Sequence, residues 1–148
     1  MSNTNLKKYN IYQIGTFLKG NENNNDKDYV EINKDYLTCM EGLKVDDKIT
    51  LLFWFDKSDN EEKRSVMRVH PRGNVNIPER GVFATRSPMR PNPIALYDID
   101  IANIDFEKGI IYLKEEIDAF NETPLIDIKI SKNCVDFKKY EKNETNKE

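Results

Sequence analysis

Apolar and polar residues alternate with a period of two along most of this chain, in short runs separated by turn residues. That pattern belongs to β-strands with one buried face. Strands are expected over residues 10–17, 29–32, 49–55, 66–69, 81–85, 94–104, 110–113 and 125–130. In the 94–104 run Ile99 and Ile101 point one way and Asp98 and Asp100 the other; in 125–130, Ile126, Ile128 and Ile130 alternate with Leu125, Asp127 and Lys129. The run ITLLFWF at 49–55 is almost wholly apolar, which predicts a central strand buried on both faces. Only residues 34–42 carry helical spacing, with Tyr36, Leu37 and Met40 in one stripe and Gly42 placed as a C-cap. DFEKG at 105–109 predicts a hairpin turn, GNENNNDKD at 20–28 a polar loop, and residues 57–63 a charged turn.

There is no βαβ rhythm and no internal repeat. The expected fold class is mainly β: a small, mostly antiparallel β-barrel with one or two short helices. Residues 1–137 are expected to form one domain, and 138–148, KKYEKNETNKE, a disordered charged tail with nothing to bury. No run of about 18 apolar residues is present, so no membrane span is expected. The opening MSNTNLKKYN has no apolar core of a secretory signal. Cys39 and Cys134 stand in unrelated contexts, so neither a disulfide nor a metal site is expected, and a reduced, cytoplasmic protein is the simple reading.

Charge changes the picture locally. The net charge is −3, yet all six arginines lie between Arg64 and Arg90 with the only histidine, His70, and one carboxylate, Glu79. Every other cation is lysine. Five of the six prolines fall between Pro71 and Pro93. A planar, forked guanidinium recognises carboxylates and phosphates in a way lysine cannot, and prolines stiffen the backbone that presents it. This window is the candidate site. An acidic body with one basic strip can hold an anion locally, and it is unlike a surface coated in lysine for non-specific nucleic-acid binding.

Residues 81–94 read GVFATRSPMRPNPI, and this closely resembles the signature of the TsaA/TrmO-like family. The resemblance continues in HPRGN at 70–74, ETPLIDIKI at 122–130, YQIG at 12–15 and EGLKVDDKITLLFWF at 41–55, covering residues 10–131. It implies a small β-barrel methyltransferase that uses S-adenosylmethionine, acts on the exocyclic amine of a threonylcarbamoylated adenosine beside the tRNA anticodon, and pairs as a homodimer. Cofactor contacts carried over by position fall on Asp56, Lys57, Arg86, Leu96 and Asp118, Ala119, Phe120 and Asn121. The chain has no GxGxxG after a strand, which agrees with a cofactor site of another kind than the dinucleotide fold. Asp56-Lys57 stands where the family commonly has His-Gln, and the asparagine-rich 20–28 loop where it has an arginine-bearing one.

The chemistry then distributes over these residues. Arg86 can clamp the cofactor carboxylate or meet a substrate phosphate, with the hydroxyls of Thr85 and Ser87 beside it. Asn92, between two prolines, is expected to shape the loop around a ligand. Asp118 is the candidate partner for the sulfonium. Arg72, Arg90 and His70 are the candidate substrate- or RNA-facing residues. For the arginines the plain alternative is an ion-pair network serving the acidic body; for His70 it is a loop hydrogen bond. Trp54 and Phe53 are expected in the core. No general base is identifiable. Two other readings remain open: a methyltransferase of a small-molecule acceptor, and a non-enzymatic RNA- or anion-binding module.

Overall fold

A computed structural model describes residues 5–135 and 137. The charged tail at 138–148 lies outside the described residues. Six strands close into an antiparallel barrel: β1 (Gly15–Leu18), β2 (Tyr29–Ile32), β3 (Lys48–Trp54), β6 (Ile94–Asp105), β7 (Ile110–Leu113) and β8 (Pro124–Ile130). Around the barrel the order is β1-β2-β7-β6-β3-β8, and β8 returns to β1 through Gly15–Leu125 and Thr16–Pro124 pairing. A separate ribbon pairs β4 (Arg68–Val69) with β5 (Arg80–Gly81). One four-residue helix, α1 (Glu61–Arg64), follows β3, with the Asn60 side chain accepting from the Lys63 amide as its N-cap.

The barrel interior is filled, as a barrel this small must be. Phe17, Val30, Ile49, Leu51, Phe53, Ile101, Ile111, Leu113 and Leu125 are fully buried in one cluster, where the Phe17 and Phe53 rings meet edge to face at 5.6 Å. No ligand can enter such a core, so chemistry is confined to the rims and the outer wall.

Antiparallel connectivity sorts the loops between two rims. Residues 19–28, the whole 55–93 connection and residues 114–123 gather at one rim; residues 33–47 and the 106–109 turn gather at the other. All six arginines therefore stand at the first rim or in the loops rising from it.

Several expected elements differ in the structure. β3 is buried on one face only: Ile49, Leu51 and Phe53 point inward while Thr50, Leu52 and Trp54 are half-buried outside, because a closed barrel has one interior. Trp54 is thus a wall residue; its indole N–H donates to Asp59 at 3.1 Å. In β8 the alternation changes phase: Leu125 pairs with Phe53 and Asp127 with Leu52, so a bulge at Ile126 leaves Leu125, Ile128 and Ile130 on the inner side. The 34–42 helix is a 3₁₀ segment, Lys34–Met40, capped by Asn33 and left through Gly42 at φ +94°. The expected strand at 81–85 is a 3₁₀ turn, Val82–Ala84, because the amide and hydroxyl of Thr85 both return to the Val82 carbonyl. The 10–17 strand begins only at Gly15.

Candidate functional site

The proline-bounded loop 86–93 owes its shape to its own side chains. Thr85 Oγ1 accepts from the Ser87 amide at 3.1 Å, and Ser87 Oγ accepts from the Met89 amide at 3.2 Å. Arg90 Nη1 turns inward and donates to the carbonyls of Thr85 and Ser87, each at 3.2 Å. Three residues expected to face ligand are therefore already engaged in holding the backbone, and their contribution is to fix the curve on which Arg86 stands.

A second brace comes from outside the loop. Arg64, at the end of α1, donates from Nε to the Pro91 carbonyl at 2.7 Å, from Nη2 to Asn92 Oδ1 at 2.9 Å and from Nη1 to Asp59 Oδ1 at 2.9 Å. Its guanidinium also lies 5.5 Å from the Trp54 ring centre. The Arg64 and Trp54 bonds hold the Asp59 carboxyl below the usual carboxylate range. The Asn92 side chain is thus the loop's anchor to Arg64. The sequence allows Arg64 a structural or a rim role; the structural one is what the fold shows, although nothing in its immediate context marks a contact 28 positions away.

Arg86 is different. Among the described residues its guanidinium makes one bond, Nη1 to the Leu96 carbonyl at 3.3 Å, and no carboxylate lies in ion-pair range. It is exposed, with donors left over. Leu96 sits on the outer wall of β6, 45% exposed, and is brought to Arg86 through this bond.

The 114–123 loop approaches the same place. Tyr97, also on β6, donates its hydroxyl to the Asp118 carbonyl at 3.0 Å. Burial lifts the Tyr97 phenol above its usual range, the Asp118 carboxylate adds to the lift, and the Arg86 guanidinium opposes it. Tyr97 therefore feels both charges at once, with Asp118 and Arg86 near one phenol. Phe120 is 69% exposed, and Lys57 Nζ lies 5.8 Å from its ring centre. Asp56 and Lys57 form the turn directly after β3 and are exposed. Ala119 is buried beneath the loop, and Asn121 Oδ1 accepts from the Lys19 amide at 2.9 Å. Asp56, Lys57, Arg86, Leu96, Asp118 and Phe120 are thus brought to one rim from three separate stretches of chain.

Arg72 and His70 are carried on the β4–β5 ribbon. Arg72 is exposed at a turn with φ +56°, followed by Gly73 at +67°. His70 Nδ1 lies 2.8 Å from the Ile77 carbonyl, so that nitrogen carries the proton, and Nε2 is 3.9 Å from Glu79. The loop hydrogen bond anticipated as the plain alternative for His70 is present.

A groove of about 580 Å³ lies at the opposite rim, between Ile14, Tyr36, Met40, Leu43, Ile130 and Phe137. It contains none of the candidate residues. No group of three His, Cys, Asp or Glu side chains is placed to hold a metal among the described residues, and none of the described helices is long and apolar enough to cross a membrane.

A family model described as the N-terminal domain of tRNA-methyltransferase O matches residues 13–137. The chain belongs to this family. A probable S-adenosyl-L-methionine-binding protein of Methanocaldococcus jannaschii is 50% identical over 109 residues, covering 74% of this chain and 84% of that protein. A second, from Pyrococcus horikoshii, is 46% identical over 102 residues, covering 69% and 71%. The tRNA (adenine(37)-N6)-methyltransferase of Escherichia coli is 34% identical over 94 residues, covering 62% of this chain but 38% of the enzyme. A crystal structure of TrmO from Pseudomonas aeruginosa superposes with a TM-score of 0.61 at 23% identity, covering 85% of this chain and 57% of that one. That last likeness concerns the fold alone. The chain matches the N-terminal domain of the tRNA-methyltransferase O family and spans 57% of the solved structure.

Proposed function

We propose that the protein is an S-adenosylmethionine-dependent methyltransferase that modifies the exocyclic amine of threonylcarbamoyl-adenosine beside the tRNA anticodon, working in the cytoplasm as a homodimer. The observation that carries this reading is the convergence of Arg86, Asp118, Lys57 and Phe120 on one rim whose loop is braced before any ligand arrives.

The residues fit the chemistry of that cofactor. Arg86 retains unused donors for a carboxylate. Asp118 offers an exposed negative charge to an ammonium or sulfonium. The exposed ring of Phe120 offers a face to an adenine. The backbone of the 86–93 loop, fixed by Arg64, Arg90 and three prolines, presents amides and carbonyls at constant positions. When bound, the cofactor supplies an electrophilic methyl group on a sulfonium. The chain's own work is to hold that group in line with the incoming amine and to lose little entropy in doing so.

The arginines of the ribbon, Arg68, Arg72 and Arg80, are exposed, and they supply the positive surface that an RNA backbone needs without altering the acidic remainder. Exposed apolar residues around the site, Phe83 at 83% and Leu96 at 45%, support burial against a second subunit.

Calorimetry with S-adenosylmethionine, followed by transfer of labelled methyl groups to tRNA from a strain lacking this gene, tests the proposal. Binding with label entering tRNA is expected. Binding with label entering only a small-molecule fraction would replace the acceptor, and no binding at millimolar cofactor would leave a plain RNA- or anion-binding module.

A further inference from the structure

The most deeply buried carboxylate at the arginine rim is Asp28, 4% exposed, and no role assigned so far uses it. We propose that Asp28 is a positioning residue that couples the 20–28 loop to the loop carrying Asp118 and Phe120, and so sets affinity for the cofactor. The inference rests on the cofactor reading above.

Asp28 closes its own loop and seizes another. Oδ1 accepts from the Gly20 amide at 3.0 Å, and Oδ2 accepts from the Ile117 amide, 89 positions away, at 3.0 Å. Lys19 Nζ stands 3.5 Å from Oδ2 and also donates to the Ile117 carbonyl. A carboxylate so far from water persists only when its oxygens are met by donors, and here two are main-chain amides from different loops. Those amides would otherwise be orphaned in turn.

The geometry on the Gly20 side demands glycine. A Cβ there would fall 2.3–2.6 Å from the backbone of Asp26 and Lys27, so the loop folds back on itself only because position 20 has no side chain. That fold-back delivers the Gly20 amide to Asp28.

The effect reaches the candidate site because Asp28 grips one end of a short span. Ile117 is held by the carboxylate and Lys19; Asn121 is held by the Lys19 amide at 2.9 Å. Between them the Asp118 carbonyl is held by Tyr97, and the Phe120 carbonyl by Thr123 Oγ1 at 2.6 Å. Residues 117–121 are thus held at four points, Ile117 and Asp118 through their main chain, Phe120 within its own loop and Asn121 through its side chain, and the 19–28 loop provides the outer two. Releasing them makes the ligand bear the cost of ordering residues 118–120 on binding. The Arg86 loop is untouched by this change.

Replacing Asp28 with asparagine keeps the shape but leaves one oxygen to serve two loops, and turns N–H groups toward N–H donors. Expected for Asp28→Asn is about tenfold weaker binding of S-adenosylhomocysteine, the product of methyl loss, the scale of one charge-assisted hydrogen bond. Faster amide exchange over residues 117–121 should accompany it. In the tRNA assay the KM for cofactor should rise while kcat at saturation stays within about twofold. Lys19→Met, at a half-exposed position, should weaken binding about threefold, the smaller loss matching a contact that solvent screens.

If both variants bind S-adenosylhomocysteine as the wild type does, with only thermal stability lowered, Asp28 is merely structural and the proposal falls. If the wild type itself binds no S-adenosylhomocysteine, the cofactor reading fails and takes this inference with it. The two failures are told apart by the wild-type titration alone.

Discussion

Arg64 joins the proline loop to the turn before α1: it donates to the Pro91 carbonyl, the Asn92 side chain and the Asp59 carboxylate, with Trp54 beneath. Replacing it with lysine keeps the charge and removes the fork. The Asp59 pair is about a third exposed on each side, so it contributes on the order of 0.5 kcal/mol. The two bonds to the proline loop contribute roughly 0.5–1 kcal/mol each. The packing against Trp54 is retained in part by a lysine stem. Arg64→Lys, which keeps the charge beside Asp59 and loses the two loop bonds, should therefore cost about 1.5 kcal/mol, which for a domain of this size lowers Tm by about 4 °C. Because the bonds end on the loop that carries Arg86, cofactor affinity should fall with stability. Differential scanning calorimetry and titration with S-adenosylmethionine, on the same preparations, read the two effects. A lysine variant with wild-type Tm and wild-type affinity would refute the view that the planar guanidinium braces this loop.

Arg86→Ala, in contrast, should leave stability nearly unchanged, since the side chain is exposed and makes one long bond, while weakening cofactor binding at least tenfold, about 1.4 kcal/mol, by calorimetry. Asp59 has a native carboxyl held below its ordinary value of 3.8, so the unfolded chain binds its proton first as pH falls. Its stabilising contribution is complete above the unfolded value and disappears as pH drops through the depressed native one; Asp59→Asn should remove that part of the acid limb in urea melts at pH 2–5. Leu51→Ala, at a fully buried position inside the barrel, should cost about 3 kcal/mol in urea denaturation with little change in m, and a loss under 1 kcal/mol would mean the barrel collapses around the gap.

Much of this molecule was legible in its residues. The strands at 29–32 and 110–113 appear with the expected bounds, and β6 keeps Ile99 and Ile101 inside with Asp98 outside, because period-two alternation is a local property that one buried face enforces. The hairpin at 105–109 follows from Asp105, whose side chain and carbonyl accept from Lys108 and Gly109, and from Gly109 at φ +72°. The arginine and proline clustering is plain in the chain, and the structure sets that window at one rim.

What local pattern could not carry was closure and reach. An apolar run such as residues 49–55 looks alike whether one face or both are covered; only the ring of six strands decides that it has a single interior. The change of phase in β8 depends on its pairing with β3 and not on its own residues. The roles of Arg64, Tyr97 and Asp28 depend on partners 28, 21 and 89 positions away, and no window on the chain contains both ends of such a bond. Residue types and the period of each strand are written in the chain, because both are local. Tertiary structure decided which hydroxyls and amides are already occupied by the protein and that the Arg86 fork is left for something else, because hydrogen-bond capacity is settled only once every neighbour is in place.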